Sequence, residues 1–419
     1  MNDILLKVFA QTPAGKTLLA GDLLAVRQQT NRQQAFFKYS PGFLENGFAL
    51  DPVNLPLAGK TFATTPGVGM LRAFADCLPD SWGLRLLAAK GGKSLAELTA
   101  AGLLEILNGS GLGAISFNGP HQDQSIEFDL IKTVLGEVRR FEKSSLKEAE
   151  ARNLRYLLAC GSSAGGAQPK MIVSMAGGKW IAKPCSIKEN PQLTTLLEDA
   201  GLTLAKKALI PTAHHKRIVT ADRQILLVKR FDITRQGRNA MLSFRALLNR
   251  DDPTEVSYNA LAEILRRFSV VAGQDIENLF SQMIVNVALN NADGHLQNFS
   301  MLRTKTGWRL SPAYDIVPNI YQTFHLLKVN GRHEQIGFED VIQEGRKMGL
   351  SAHLCRSIFG DVIDRIADWE TVFDQCEVPQ KQTIELRACI DKNLARFSRG
   401  LAAITKVQAV PRRVRKARI

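Results

Sequence analysis

The chain lacks paired cysteines, long apolar runs and repeats, and each absence removes a class of protein. Its six cysteines (Cys77, Cys160, Cys185, Cys355, Cys376 and Cys389) are scattered without Cys-x-x-Cys spacing. Reduced thiols are therefore expected in place of a disulfide or zinc framework. No apolar stretch approaches the roughly 18 residues that mark a membrane span. Met1-Asn2-Asp3-Ile4 lacks the charged start and cleavage pattern of a signal peptide, so a cytoplasmic protein with no membrane association is expected. No internal repeat or low-complexity block argues for a solenoid or a linker-rich chain. What is present is 419 residues, 45% of them hydrophobic, enough for two or three packed units.

Formal net charge is +14, which invites a nucleic-acid contact. Part of the excess is local, because Pro411 to Ile419 carries five basic residues and no acid, leaving +9 elsewhere. Such a tail is either a disordered solvated end or a contact for DNA or tRNA phosphates.

The most informative segment is Asn290-Asn291-Ala292-Asp293-Gly294-His295-Leu296-Gln297-Asn298-Phe299-Ser300, followed by Leu310-Ser311-Pro312-Ala313-Tyr314-Asp315. It offers an acid, an amide five residues later, and a second acid. Phosphoryl transfer needs one carboxylate to orient the attacking hydroxyl and oxygen ligands for the magnesium that bridges nucleotide phosphates. Asp293, Asn298 and Asp315 have the right chemistry, and Asp293 to Asn298 has the Asp-x-x-x-x-Asn spacing of a kinase catalytic loop. Apolar periodicity predicts an N-capped helix over Asp275 to Asn291, then short strands over Phe299 to Leu302 and Trp308 to Leu310. Asn-Ala-Asp-Gly is also ordinary turn chemistry, with Gly294 free to take positive φ, and His295 by itself reads equally as a packed or capping histidine. No Cys-x-x-Cys or His-x-x-x-His accompanies the segment to suggest zinc.

Upstream, Cys160-Gly161-Ser162-Ser163-Ala164-Gly165-Gly166-Ala167-Gln168-Pro169-Lys170 is a small-residue loop between a helix-like Leu146 to Ala159 and a strand-like Met171 to Met175. Its backbone amides could approach phosphates closely, or it could be a flexible hairpin connection. The loop is neither a Walker A motif nor Gly-x-Gly-x-x-Gly. Lys179 to Pro184 reads as a strand ending in Lys183, placed like the strand lysine that pairs with nucleotide phosphates. Leu226 to Asp232 reads as a buried strand running into a polar link, and Arg235 to Asn239 as a hinge.

In this order, Gly165-Gly166-Ala167-Gln168-Pro169-Lys170, Ala182-Lys183-Pro184, Lys229-Arg230-Phe231-Asp232 and the two acidic motifs resemble the HipA family of bacterial serine/threonine kinases, the toxin halves of HipA–HipB pairs. Leu78-Pro79-Asp80-Ser81-Trp82-Gly83 and Gly111-Leu112-Gly113-Ala114-Ile115-Ser116-Phe117 look like the family's N-terminal signatures, so the resemblance spans nearly the whole chain. It implies ATP and Mg2+ as cofactors, Asp293 as catalytic base, and Asn298 and Asp315 as metal ligands. It also implies nucleotide contacts from Ser163, Ala164, Gly165, Gly166, Ala167, Gln168, Lys170, Lys183, Lys229, Phe231 and His295. Ser163, or its neighbour Ser162, would be autophosphorylated. The implied partners are a HipB-like helix-turn-helix antitoxin, operator DNA reached mainly through it, and a protein substrate such as an aminoacyl-tRNA synthetase, whose phosphorylation halts translation. Pro169 stands where many members carry an acid, Lys229 replaces an expected acid, and Ile316-Val317 follows Asp315 in place of Phe-Gly. Two other readings stay open: a catalytically silent regulator with this fold, and a small-molecule phosphotransferase.

The expected fold is α+β, two-lobed and protein-kinase-like. Residues 1–142 form a mixed N-terminal subdomain, with strands over Ile4 to Phe9 and Ala35 to Tyr39 and helices over Met70 to Ala89 and Ser94 to Leu107. Residues 143–238 form the N-lobe, 239–407 a mainly helical C-lobe, and 408–419 a basic tail.

Overall fold

The computed structural model describes residues 3–27, 33–79, 81–92, 94–109, 111, 113–122, 125–134, 136, 170–175, 178–183, 191–220 and 223–408. The loop from Ser162 to Pro169, the expected helix over Leu146 to Ala159 and the tail from residue 409 lie outside them.

Three sheets organise these residues. The first, ordered β4-β3-β2-β1-β5, is built from β1 (Ile4–Gln11), β2 (Thr17–Arg27), β3 (Gln33–Tyr39), β4 (Thr61–Ala63) and β5 (Ile115–Phe117), with antiparallel neighbours throughout. Its inward residues (Leu6, Val8, Leu23, Ala35 and Phe37 among them) are fully buried at alternating positions, the period-two pattern of a sheet with one face on a core.

The second sheet, ordered β6-β7-β8-β10-β9, comprises β6 (Ile126–Glu127), β7 (Met171–Met175), β8 (Gly178–Lys183), β9 (His215–Thr220) and β10 (Arg223–Lys229). Strand β6 pairs parallel to β7, so the N-lobe sheet already begins inside the stretch assigned by sequence to the N-terminal subdomain. Alternation along β8 and β10 sends Trp180, Ala182, Ile225 and Leu227 into one core with Ile131 and Val134. Leu226 and Val228 face the opposite way, into the larger core. The Pro191–Lys207 helix lies in that larger core through Leu193, Leu196 and Leu197. The third sheet, β11 (Ala240–Ser243), β12 (Ser300–Arg303) and β13 (Trp308–Leu310), is the platform under the acidic motifs.

The C-lobe is helical as expected: Tyr258–Phe268, Ala272–Ala288, Phe338–Lys347, Ala352–Ile366, Trp369–Gln375 and Gln380–Gln408. Two helices differ from the sequence reading. The expected helix over Met70 to Ala89 is split into Arg72–Ala75 and Ser81–Lys90. Pro79 lacks an N–H and disfavours helical backbone at the residue before it, which breaks the run. The Ala272–Ala288 helix starts three residues before Asp275, so Asp275 is not its cap. Asp275 is instead fully buried, accepting from the Leu310 N–H at 2.6 Å and the Ser269 hydroxyl at 2.7 Å, and so ties the helix to the hairpin that carries Asp315. Among the described residues no helix is long and apolar enough to cross a membrane.

The segment expected as a hinge is tied to the N-terminal subdomain. The Arg238 N–H donates to the Thr12 carbonyl at 3.1 Å and the Thr234 hydroxyl to the Pro13 carbonyl at 2.7 Å. Gly237 packs so closely on this β1–β2 turn that a Cβ there would stand 2.1 Å from the Thr12 oxygen.

Candidate active site

The N-lobe sheet and the C-lobe platform enclose a cleft of about 1050 Å³, counted to its open mouth, a size suited to a nucleotide. Its roof is Ile181, Lys183 and Val228; its floor includes Gln297, Asn298, Ser300, Tyr314 and Asp315. Lys170, Lys229 and Phe231 also line it. Six of the predicted contacts therefore converge on one cavity: Lys170, Lys183, Lys229, Phe231, Asn298 and Asp315. Asp293 and His295 sit on the loop entering Asn298 and do not form the wall. Ser162 and the contacts expected from Ser163, Ala164, Gly165, Gly166, Ala167 and Gln168 lie outside the described residues.

The floor is held by short-range bonds. The Ala272–Ala288 helix ends, and Asn290 takes left-handed backbone (φ +56°) to turn the chain. The residue with this geometry is Asn290, not Gly294, as Asn tolerates it better than other side chains. Its amide donates to the Asn319 and Gln322 carbonyls at 2.6 and 2.9 Å, pinning the segment beyond Asp315 beneath the loop. Asn291 donates to Asn286 at 3.0 Å, and Asn286 to the Tyr258 hydroxyl at 3.1 Å. The Asn298 amide nitrogen donates to the Asp293 carbonyl at 3.3 Å, and His295 caps the short turn Leu296–Asn298 by accepting the Gln297 N–H.

The roof and the floor meet at one cation. Lys183 Nζ donates to Asp315 Oδ1 and to Glu198 Oε1, each at 2.6 Å. Burial pulls the lysine pKa down, but the two carboxylates outweigh it and hold it above its ordinary value. Burial likewise opposes ionisation of Asp315, yet Lys183 and Lys170 keep it below the ordinary carboxylate range. Glu198, deeper and facing the like charge of Asp315, is pushed up, with burial the largest cause. Of the two carboxylates Glu198 is thus the first to take a proton. Asp293 is exposed at the mouth, and desolvation on its protein side raises it; His295 pulls it down and Asp315 pushes it up.

Glu198 was missed by sequence reading. Its signal was an acid in the middle of a buried helix, with Gly201 one turn on. A Cβ at Gly201 would stand 2.2 Å from the Ile316 carbonyl oxygen, so glycine lets the helix lie against the chain immediately after Asp315. That approach brings Glu198 to Lys183. Asp315 itself has left-handed backbone at φ +59°, a costly conformation for a non-glycine residue and one that clusters at functional sites.

Two further features come from the link and the N-terminal subdomain. Asp76 lines the cleft and accepts from the Ser243 N–H at 2.7 Å and hydroxyl at 2.5 Å. Arg230 and Asp232, flanking Phe231, form a buried two-point ion pair with contacts of 3.0 and 2.6 Å, and Asp232 also accepts from the Gly113 N–H at 2.8 Å. The N–H groups of Lys229 and Arg230 are already bonded to the His214 and Lys179 carbonyls, so adenine would have to use other backbone groups in this link.

Two family models match the chain: the HipA N-terminal domain over residues 17–118 and the HipA-like C-terminal domain over 162–370. The chain belongs to the HipA family. A solved structure similar over 97% of this chain and 100% of its own is that of HipA in the Shewanella oneidensis MR-1 toxin antitoxin complex of HipA, HipB and operator DNA, with TM-score 0.69 and 18% identity. The α+β, two-lobed HipA-like architecture is thus the one present. The Y4mE protein of Sinorhizobium fredii (strain NBRC 101917 / NGR234) is 36% identical over 58 residues, 14% of each chain. The Helicobacter pylori proinflammatory kinase CtkA gives TM-score 0.36 and 12% identity over 51% of this HipA-family chain and 92% of its own.

Proposed function

We propose that the protein is an ATP- and Mg2+-dependent serine/threonine protein kinase acting as the toxin of a toxin–antitoxin pair. The carrying observation is the Lys183 ammonium shared by Glu198 and Asp315 above a floor that presents Asn298. The residues fit the cofactors. Lys183 and Lys170 supply cations for phosphate oxygens, and Asp315 with the Asn298 amide oxygen supplies two hard ligands. One or two protein carboxylates plus nucleotide phosphates is the usual magnesium arrangement. Among the described residues no cluster of three or more His, Cys, Asp or Glu could hold a metal by itself, so this metal arrives with its nucleotide. When bound, it neutralises charge on the transferred group.

Asp293 then orients the acceptor hydroxyl and takes its proton, and its raised proton affinity makes it a better base. The glycine-rich loop covers the phosphates, and phosphorylation of Ser163, or of Ser162, places a second dianion there and displaces it. By extension from the Shewanella complex, the partners are a HipB-like helix-turn-helix antitoxin and, through it, operator DNA; the charge of +14 suits the latter. A cytoplasmic protein substrate, an aminoacyl-tRNA synthetase on the resemblance, completes the reading.

Phosphoproteomics after brief expression of wild type and Asp293→Asn tests it. Serine or threonine phosphorylation of one or a few proteins, and of Ser162 or Ser163, is expected with wild type alone. Identical phosphoproteomes would falsify the protein-kinase reading, and transfer only to small alcohols would make the protein a small-molecule phosphotransferase.

A further inference from the structure

A second cavity lies on the other side of the Arg230 link, where the N-terminal subdomain, the N-lobe sheet and residues 233–238 meet. It holds about 790 Å³ to its open mouth, and its lining includes Lys179, Arg230, Arg235 and Arg238. No carboxylate lines it among the described residues. The nearest acid on the link, Asp232, is already paired with Arg230.

The arrangement of the two inner guanidinium groups is unusual. Arg230 Nη2 and Arg238 Nη1 both donate to the Gly111 carbonyl oxygen, at 3.2 and 3.0 Å. Two like charges thus converge on one neutral acceptor beside a cavity, with a single carboxylate to balance them. Such convergence costs electrostatic energy that a bound anion would recover, and guanidinium groups match phosphate oxygens geometrically. His121, also in the lining, reports the same field: burial first, then Arg238 and Arg230, push its imidazole down to about 3. It is therefore neutral at physiological pH. Thr234, Gln11 and Gln122 add hydrogen-bonding groups around the rim.

We propose that this junction is a second ligand site, separate from the nucleotide cleft, that takes a small molecule bearing a phosphate or pyrophosphate group. The inner wall is prebuilt by Arg230 and Arg238, each fixed by carbonyls of the 111–113 turn. Arg235, exposed at the edge, is the side chain able to close over the ligand.

Calorimetric titration of pyrophosphate into the full chain, without divalent cation, tests the site in wild type, Arg235→Glu and Lys183→Met. The dissociation constant stays within about twofold of wild type in Lys183→Met, whose change lies in the other cavity, and weakens roughly tenfold in Arg235→Glu. Equal affinity in wild type and Arg235→Glu, binding lost in Lys183→Met, or no binding at millimolar pyrophosphate overturns the proposal. If Lys183→Met does not fold, hydrogen exchange on wild type decides. Pyrophosphate should then protect residues 230–238 and 113–122, and protection confined to 178–183 and 293–315 sinks the idea.

Discussion

The floor of the cleft and the wall joining it to the rest of the molecule are built in opposite ways. The floor from Asn290 to Asp315 is locally wired: Asn298 bonds a residue five positions away, Asn291 one five away, and Asn290 ones 29 and 32 away. The wall is wired across the chain. Lys183 reaches Asp315 over 132 positions, Asp232 reaches Gly113 over 119, and Asp76 reaches Ser243 over 167. A locally wired element can present exposed chemical groups with little effect on stability. The wall couples chemistry to folding, because its charges are buried and each answers to a distant partner. Variants should separate accordingly: floor substitutions cost activity and leave stability, while wall substitutions cost stability.

Asp293→Asn gives the largest effect and the cleanest separation. Turnover should fall by about 10²–10⁴-fold, the usual contribution of a positioned base, with an unchanged melting temperature, since the side chain is exposed. A lowered melting temperature would blur the distinction. The pH profile sharpens it. The raised Asp293 must be ionised to act, so activity is lost as pH falls through a value above the ordinary Asp pKa of about 3.9.

Asp232→Asn should do the reverse. It strands Arg230, whose side chain is 1% exposed, at a cost of about 3–5 kcal/mol read by denaturant unfolding. Burial opposes ionisation of Asp232, but Arg230 outweighs it and depresses the pKa. The stabilisation is therefore present above about pH 3.9 and lost as pH falls through the lower folded value, and this acid limb should shrink in Asp232→Asn.

Gly201→Val tests the joint between the two regions. Its side chain meets the Ile316 carbonyl, so it should cost about 1–3 kcal/mol and weaken nucleotide binding by moving Glu198 off Lys183. Normal binding in a stable variant would remove the role given to that close approach. The smallest change is expected from Asn290→Gly, which keeps the left-handed backbone but deletes two hydrogen bonds. A loss of about 1–3 kcal/mol in all is reasonable at 0.5–1.5 each, with turnover falling further than ATP binding.

This contrast also explains what could be read in the sequence. Asp293, Asn298 and Asp315 announce themselves because acid, amide and turn residues lie within one short stretch, and the Lys183 strand is visible from its alternation. Glu198 could not be found this way, since nothing near it in sequence names Lys183 as its partner. Asp76, Gly201 and the Arg230–Asp232 clasp on Gly113 were missed for the same reason. Asp275 was misread because an acid near a helix start has the same local pattern whether it caps the helix or bonds the Leu310 amide. Gly294 was misread because Asn290 took the left-handed turn first. The glycine-rich loop, its two serines and the basic tail were read from sequence alone and lie outside the described residues.

The central claim is that the wall holds the nucleotide and the floor performs the transfer. The most direct test measures ATP binding by calorimetry and label transfer from radioactive ATP, both with magnesium, on wild type, Asp293→Asn and Lys183→Met. Binding close to wild type in Asp293→Asn with transfer abolished, and binding lost in Lys183→Met, is the predicted result. Transfer by Asp293→Asn at the wild-type rate, or ATP binding by Lys183→Met at wild-type affinity, would contradict it.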